Sequence, residues 1–312
     1  MYSSRAKSNY KSQFFRVNAL RTVLIFLAAA LIAGIPLFLI AGIQSRKSIE
    51  RKQLLAAWES GDYDSVYSTS RAALEIKPLD YFLLTINGFS AFQLGISQIS
   101  NSDTLDYMDQ CIWALRKAGQ LKEAAKDGRV FYVLGKAYYY KGGDYTDLVI
   151  KNLETAQELS YEAADVPEYL GLAYAALGDY RSSVAAFSRA LTAEPQPSDL
   201  LLLSIARSYT ALNEPETARA YLMRCIEISR DINAKVTAWL ALADIYSTTG
   251  NIDAAEAQYL AILDSTGDNA EAYYQLGELY VRKGDNTRAR AYWRLSLRAD
   301  PAYQKARIRL SQ

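Results

Sequence analysis

Residues 169–195 read "YLGLAYAALGDYRSSVAAFSRALTAEP". Apolar residues fall at helical spacing on both sides of "LGDY", and small residues hold fixed places: Gly171 and Gly178 in the first half, Ala190 in the second, Pro195 at the end. A Gly inside a helix costs about 1 kcal/mol relative to Ala, so Gly171 calls for a compensating contact. Two closely approaching antiparallel helices supply it. Gly171 and Ala190 let the backbones meet, Tyr174 and Phe187 fill the space between, Gly178 and Asp179 reverse the chain, and Pro195 stops the second helix.

The pattern returns at nearly constant distance. Tyr138, Tyr174, Tyr209, Tyr246 and Tyr280 each follow, by three positions, a small residue: Gly135, Gly171, Ala206, Ala243 and Gly277. Leu134, Leu170, Ile205, Leu242 and Leu276 stand one position earlier again. The turns "GGDY", "LGDY", "LNEP", "TGNI" and "KGDN" come next, and a second apolar-periodic segment then places Ala156, Ala190, Cys225, Ile262 or Ser296 at one register. Each unit is a pair of helices joined by a tight turn.

On these residues the chain resembles the tetratricopeptide repeat, whose signature runs W-x2-L-G-x2-Y with Ala, Phe, Ala and Pro at later fixed positions. The copies at 164–198, 236–269 and 270–303 keep it most fully, the last with Leu276, Gly277, Tyr280, Ala289, Trp293 and Pro301. Units 128–163 and 199–235 run slightly long, which gives five units over 128–303. Residues 47–127 hold two degenerate units, 47–80 and 81–127. The second carries about a dozen extra residues before a helix through Cys111, Ala114 and Leu115, with Asp103 as its candidate cap. Residues 304–312 remain as a C-terminal capping tail. The resemblance implies an all-α, right-handed solenoid, because no single unit buries its apolar face alone and neighbours must stack.

It also implies a binding surface for a protein or peptide partner. In such repeats the first helix of each pair faces the concave groove, and its exposed positions here are Arg129, Tyr132, Lys136, Tyr139, Tyr140, Arg207, Asp244, Tyr274, Glu278 and Arg282. Tyr138 belongs to the core register, whereas Tyr139 and Tyr140 offer large amphipathic contact area. A chaperone-binding subclass clamps a C-terminal carboxylate with a Lys and Asn pair; the matching pairs here, Tyr132/Lys136, Leu203/Arg207, Leu240/Asp244 and Tyr274/Glu278, do not reproduce it.

Nothing in the sequence asks for catalysis, a metal or a cofactor. There is no histidine, which removes the commonest general base and metal ligand near neutral pH. Cys111 and Cys225 form no CxxC pair and read as small buried hydrophobes. The carboxylate pairs Asp62/Asp64 and Glu154/Glu158 sit at ordinary solvated-helix spacing. Nucleic acid is an unsuitable partner for an acidic array.

That acidity is hidden in a net charge of +1, since residues 1–52 hold nine Lys/Arg against one acid, Glu50, and the remainder holds 26 against 33. Inside the basic end, "TVLIFLAAALIAGIPLFLIAGIQS" runs uncharged from Thr22 to Ser45. A helix of that length reaches about 36 Å, enough for a hydrocarbon core of about 30 Å. Pro36 is tolerated in a membrane span, and the run is too long and ends too poorly for a cleaved signal peptide. Residues 22–45 are expected to form a transmembrane signal anchor after a basic segment over 1–21. Arg5, Lys7, Lys11, Arg16 and Arg21 precede it undiluted, which points to a cytoplasmic N-terminus and an extracytoplasmic repeat array. The layout is similar to that of anchored repeat proteins of the bacterial inner membrane, which implies a scaffold in an envelope assembly. A cytoplasmic-facing adaptor, or a non-catalytic accessory subunit of a membrane enzyme or secretion complex, fits the same layout.

Overall fold

In the computed structural model, residues 51–193 and 196–312 are described. The expected anchor over 22–45 and the helix stop at Pro195 lie outside them. Among the described residues no helix is long and apolar enough to cross a membrane. The described residues divide into two compact units, one that ends at Ser90 and one that runs from Ala91 to Gln312.

The first unit contains helix α1 (51–59), α2 (Tyr63–Ile76) and most of α3 (Tyr81–Ile96). Gly61 turns the chain in the left-handed region, and the Asp62 carboxylate caps α2 by accepting from the Ser65 amide at 3.1 Å. Trp58 packs edge-on against Tyr63 at 5.0 Å. The buried Asn87 amide donates to Ser70 Oγ and to the Tyr67 carbonyl, at 3.0 and 3.1 Å, so the polar groups inside this unit are paired.

In the second unit, α4 (Asn101–Gly119) and a 3₁₀ turn (Lys122–Lys126) lead into five helix pairs: α5 (Gly128–Lys141) with α6 (Thr146–Glu158), α7 (Val166–Ala176) with α8 (Tyr180–Ala193), α9 (Asp199–Ala211) with α10 (Pro215–Ile228), α11 (Ile232–Thr248) with α12 (Ile252–Thr266), and α13 (Ala270–Arg282) with α14 (Asn286–Ala299). A last helix, α15 (Gln304–Ser311), packs on α14. Each helix packs chiefly on its neighbours in sequence, as a stacked repeat requires.

The extra residues of 81–127 do not make a long loop; they lengthen α4 and form the 3₁₀ turn. Asp103 is not the cap of α4. Ser100 stands at that position without a side-chain bond, and Asp103 sits in the first turn, where a carboxylate complements the helix dipole.

Close approach within pairs follows the small residues. A Cβ on Gly135 would meet Leu153 Cδ2 at 2.8 Å, and one on Gly171 would overlap the fully buried Phe187 ring. Gly178 turns the α7–α8 corner at φ 78°, whereas the α9–α10 corner puts Asn213 at φ 60°, a conformation Asn tolerates better than other side chains. Cys111 and Cys225 are free thiols buried in the core, and burial pushes the Cys225 thiol up to about 11.

Candidate functional site

Between α9 and α11, the first helices of adjacent pairs, the chain forms a groove of about 550 Å³. Leu203, Ala206, Leu222 and Ala241 give it an apolar lining, Ser204, Thr210 and Thr237 add hydroxyls, and Leu200 stands at its edge 55% exposed. Arg207 and Asp244, both exposed, supply one charge of each sign.

The N-terminal ends of the two walls are pinned to one another. Ser198 Oγ accepts from the Leu201 amide at 3.1 Å to cap α9, and the Asp231 carboxylate accepts from the Asn233 amide at 2.9 Å to cap α11. The buried Ser229 hydroxyl donates to Asp199 at 2.8 Å and accepts from the Asp231 amide at 3.0 Å. A cluster formed by Leu202, Leu222, Cys225, Leu242 and Ile245 fills the space behind the groove. The result is an apolar slot rimmed by one charge of each sign, which can take apolar side chains with polar groups at its edge.

The residues expected on α5 are used differently from that groove. Asp165 begins α7 without capping it; its carboxylate accepts from Lys136 Nζ at 2.7 Å and from the Tyr132 hydroxyl at 2.9 Å. The Lys136 ammonium also lies over the rings of Tyr169, Tyr132 and Phe92, at 4.8, 5.1 and 5.8 Å. Burial alone would lower the Lys136 pKa, but hydrogen bonds to Asp165 and Tyr132 and the neighbouring negative charge hold it above the ordinary lysine value. Tyr132 and Lys136 therefore join adjacent repeats and are half-buried, which corrects the sequence expectation that they are exposed.

Tyr138 is buried and stacks on Tyr145 at 5.6 Å. Tyr139 is half-buried, edge-on to Tyr169 at 4.8 Å, and Tyr140 is exposed but rests against Phe92 at 5.9 Å. Arg129 is exposed, with its guanidinium paired to Asp127 at 2.7 Å. A smaller cleft of about 270 Å³ opens beside Tyr139, lined by Thr146, Leu172 and Ala176.

At the far end, α15 uses two more of the expected groove residues. Glu278 accepts from Arg309 Nε at 2.9 Å, and the Tyr274 ring packs on Tyr303 at 5.6 Å, with Lys305 over its face. Arg282 stays exposed at the end of α13. The ten residues thus fall into three places, of which the α9–α11 groove brings together Arg207 and Asp244. Asp165 and Tyr169 escaped the sequence reading; Leu203 entered it only as the neighbour of Arg207, one turn earlier on the same helix face, in a pair that does not reproduce the carboxylate clamp. Among the described residues no group of three His, Cys, Asp or Glu side chains is placed to hold a metal ion.

Models of the tetratricopeptide repeat match residues 170–197, 201–232 and 240–303. Cellulose synthase 1 operon protein C of Komagataeibacter xylinus is 27% identical over 161 residues, 49% of this chain. Protein CTR9 homolog of Arabidopsis thaliana is 27% identical over 110 residues, 35% of this chain. The matches span 12% and 10% of those proteins' lengths. Among solved structures, the C-terminal part of a TPR repeat-containing protein from Cytophaga hutchinsonii superposes with a TM-score of 0.61 at 15% identity, covering 84% of this chain and 99% of that one. PilF of Pseudomonas aeruginosa gives 0.51 at 16% identity, covering 72% of this chain and 96% of that one. These likenesses agree with the helix pairs described above. The chain carries tetratricopeptide repeats.

Proposed function

We propose that this chain is a non-catalytic scaffold, anchored in the bacterial inner membrane through residues 22–45, that docks an extended segment of a partner protein in the α9–α11 groove. The observation that carries the reading is the groove itself, in which Leu200, Leu203 and Ala241 present apolar surface between the charges of Arg207 and Asp244. Apolar anchors with a polar rim are the anatomy of protein interfaces. Exposed Arg129, Tyr140 and Arg282 extend the same face along the other first helices. The anchor is supported by the uncharged run before the repeats, and the extracytoplasmic placement of the array by the charges that flank it.

The test is a photo-crosslinking amino acid placed at Leu203, and separately at Arg224 on α10, in intact membranes. A partner adduct from position 203, absent from 224 and lost when Arg207→Glu is added, is the expected result. Equal adducts from both positions overturn the groove assignment. Alkaline phosphatase fused after Gln312 is expected to be active, and an inactive fusion with a fluorescent cytosolic counterpart overturns the orientation.

A further inference from the structure

Charge is distributed unevenly along the repeats. Residues 53–281 hold 17 Lys/Arg against 31 acids, whereas residues 282–312 hold nine against two, Asp285 and Asp300. Helix α14 contains no acidic residue. Its inward side is Ala289, Trp293 and Ser296, all buried. Arg290, Arg294 and Arg298 recur every four residues on the opposite side, all exposed. Five carboxylates in this region are already engaged by other cations: Asp285 with Arg288, Glu271 with Lys305, Glu278 with Arg309, Asp253 and Glu256 with Lys283. Asp300 accepts from the Ala302 amide. Arg290 and Arg294 pair with no described residue, and Arg298 reaches the Tyr273 hydroxyl, which itself donates to Asp268 at 3.1 Å. On α15, exposed Arg307 adds charge, and Ile308 is 57% exposed beside it.

We propose that this outward face of α14, extended by Arg307 and Ile308 of α15, docks on an anionic lipid bilayer surface. The unpaired guanidinium groups of Arg290 and Arg294, with Arg298 beside them, lie on a convex helix face that matches a flat, smeared negative charge, and such a face has no slot to enclose an acidic peptide. An exposed aliphatic side chain among arginines is the chemistry of the headgroup boundary. The inference rests on the anchoring reading only for bringing the chain close to a bilayer.

The experiment uses the full chain with Ala291→Cys, an exposed position between Arg290 and Arg294, carrying an environment-sensitive fluorophore. The native thiols at Cys111 and Cys225 are buried and do not compete for the label. The chain is mixed with vesicles of phosphatidylcholine alone and of phosphatidylcholine with phosphatidylglycerol, and flotation is followed separately from fluorescence. The label is expected to blue-shift with the anionic vesicles only. High salt should reverse the shift, and Arg290→Gln/Arg294→Gln/Arg298→Gln should weaken the response by on the order of 100-fold with an unchanged thermal melt. No shift with anionic vesicles overturns the proposal, whether or not the chain floats. A shift without flotation on neutral vesicles sustains it while the anchoring reading fails. A shift produced by polyglutamate or an oligonucleotide, and not by vesicles, overturns it in favour of an acidic polymer.

Discussion

The Phe187 ring occupies the space that a Cβ on Gly171 would need. Two effects of opposite sign meet at this position. Gly171→Ala improves helix propensity by about 1 kcal/mol, while forcing a methyl group against a fully buried ring costs about 1–3 kcal/mol. We expect overpacking to win, with a lower urea midpoint for Gly171→Ala and partial recovery in Gly171→Ala/Phe187→Leu. A more stable Gly171→Ala chain contradicts the close approach of α7 and α8.

Adjacent tyrosines on α5 separate by burial. Tyr138→Ala opens a cavity and is expected to cost about 3–5 kcal/mol. Replacing Tyr139 and Tyr140 with Ser removes their edge contacts to each other, to Tyr169 and to Phe92. At about 0.5–1.5 kcal/mol for each of the two contacts to other helices, those with Tyr169 and Phe92, the double variant is expected to lose about 1–3 kcal/mol, a smaller loss than Tyr138→Ala, by thermal melting. The sequence shows that these rings leave the Tyr138 face without showing what they lean on.

Lys136→Met removes the cation from beside Asp165 in a half-buried site and is expected to cost about 1–3 kcal/mol, less than a fully buried pair. Its signature is pH dependence. The folded chain holds the Lys136 proton more tightly than the unfolded chain does, so the stabilisation is complete below the unfolded lysine value of about 10.4 and fades as pH rises beyond it. Tyr174, pushed up to about 12 by burial and then by its hydrogen bond to Glu154, acts with the same sign above about pH 10. The melting temperature should therefore fall with pH above about 10, less steeply in Lys136→Met. Parallel curves for the two proteins contradict the role of the ion pair.

Removing residues 304–312 strips the cover from Trp293, Tyr280 and Ala289, which cluster with Ala306. We expect a loss of about 2–4 kcal/mol, the scale of one or two buried apolar side chains, together with binding of a hydrophobic dye. Arg309→Ala alone should cost under about 1 kcal/mol, since its side chain is 41% exposed. Denaturant titrations of the two variants check this ordering.

The legible part of the fold is the part that repeats. Gly171, Gly135 and Gly277 announced their contacts because one spacing recurs and one packing need explains it, and the helix pairs over 128–303 follow those spacings closely. Helix α11 begins at Ile232, four residues ahead of the expected unit start at 236, since the Asp231 cap and the Ser229 hydroxyl fix its first turn. The Lys136–Asp165 and Glu278–Arg309 pairs join residues about thirty positions apart and occur once each, so no periodicity exposes them. The groove was half legible: Arg207 and Asp244 were marked as exposed first-helix positions, but the apolar slot beside them depends on how α9 and α11 are tilted, which the pattern of either helix does not encode.

Because each helix of residues 91–312 finds its main partners in the helices just before and after it, the native contacts are short in sequence. Loop-closure entropy is correspondingly small at every step, which favours fast folding. A pair such as α7–α8 needs only what precedes it to dock, so ordering can advance from the first repeats while the ribosome is still making the last. In such a progression Trp293 and Tyr280 stay uncovered until α15 has been made and has arrived on them.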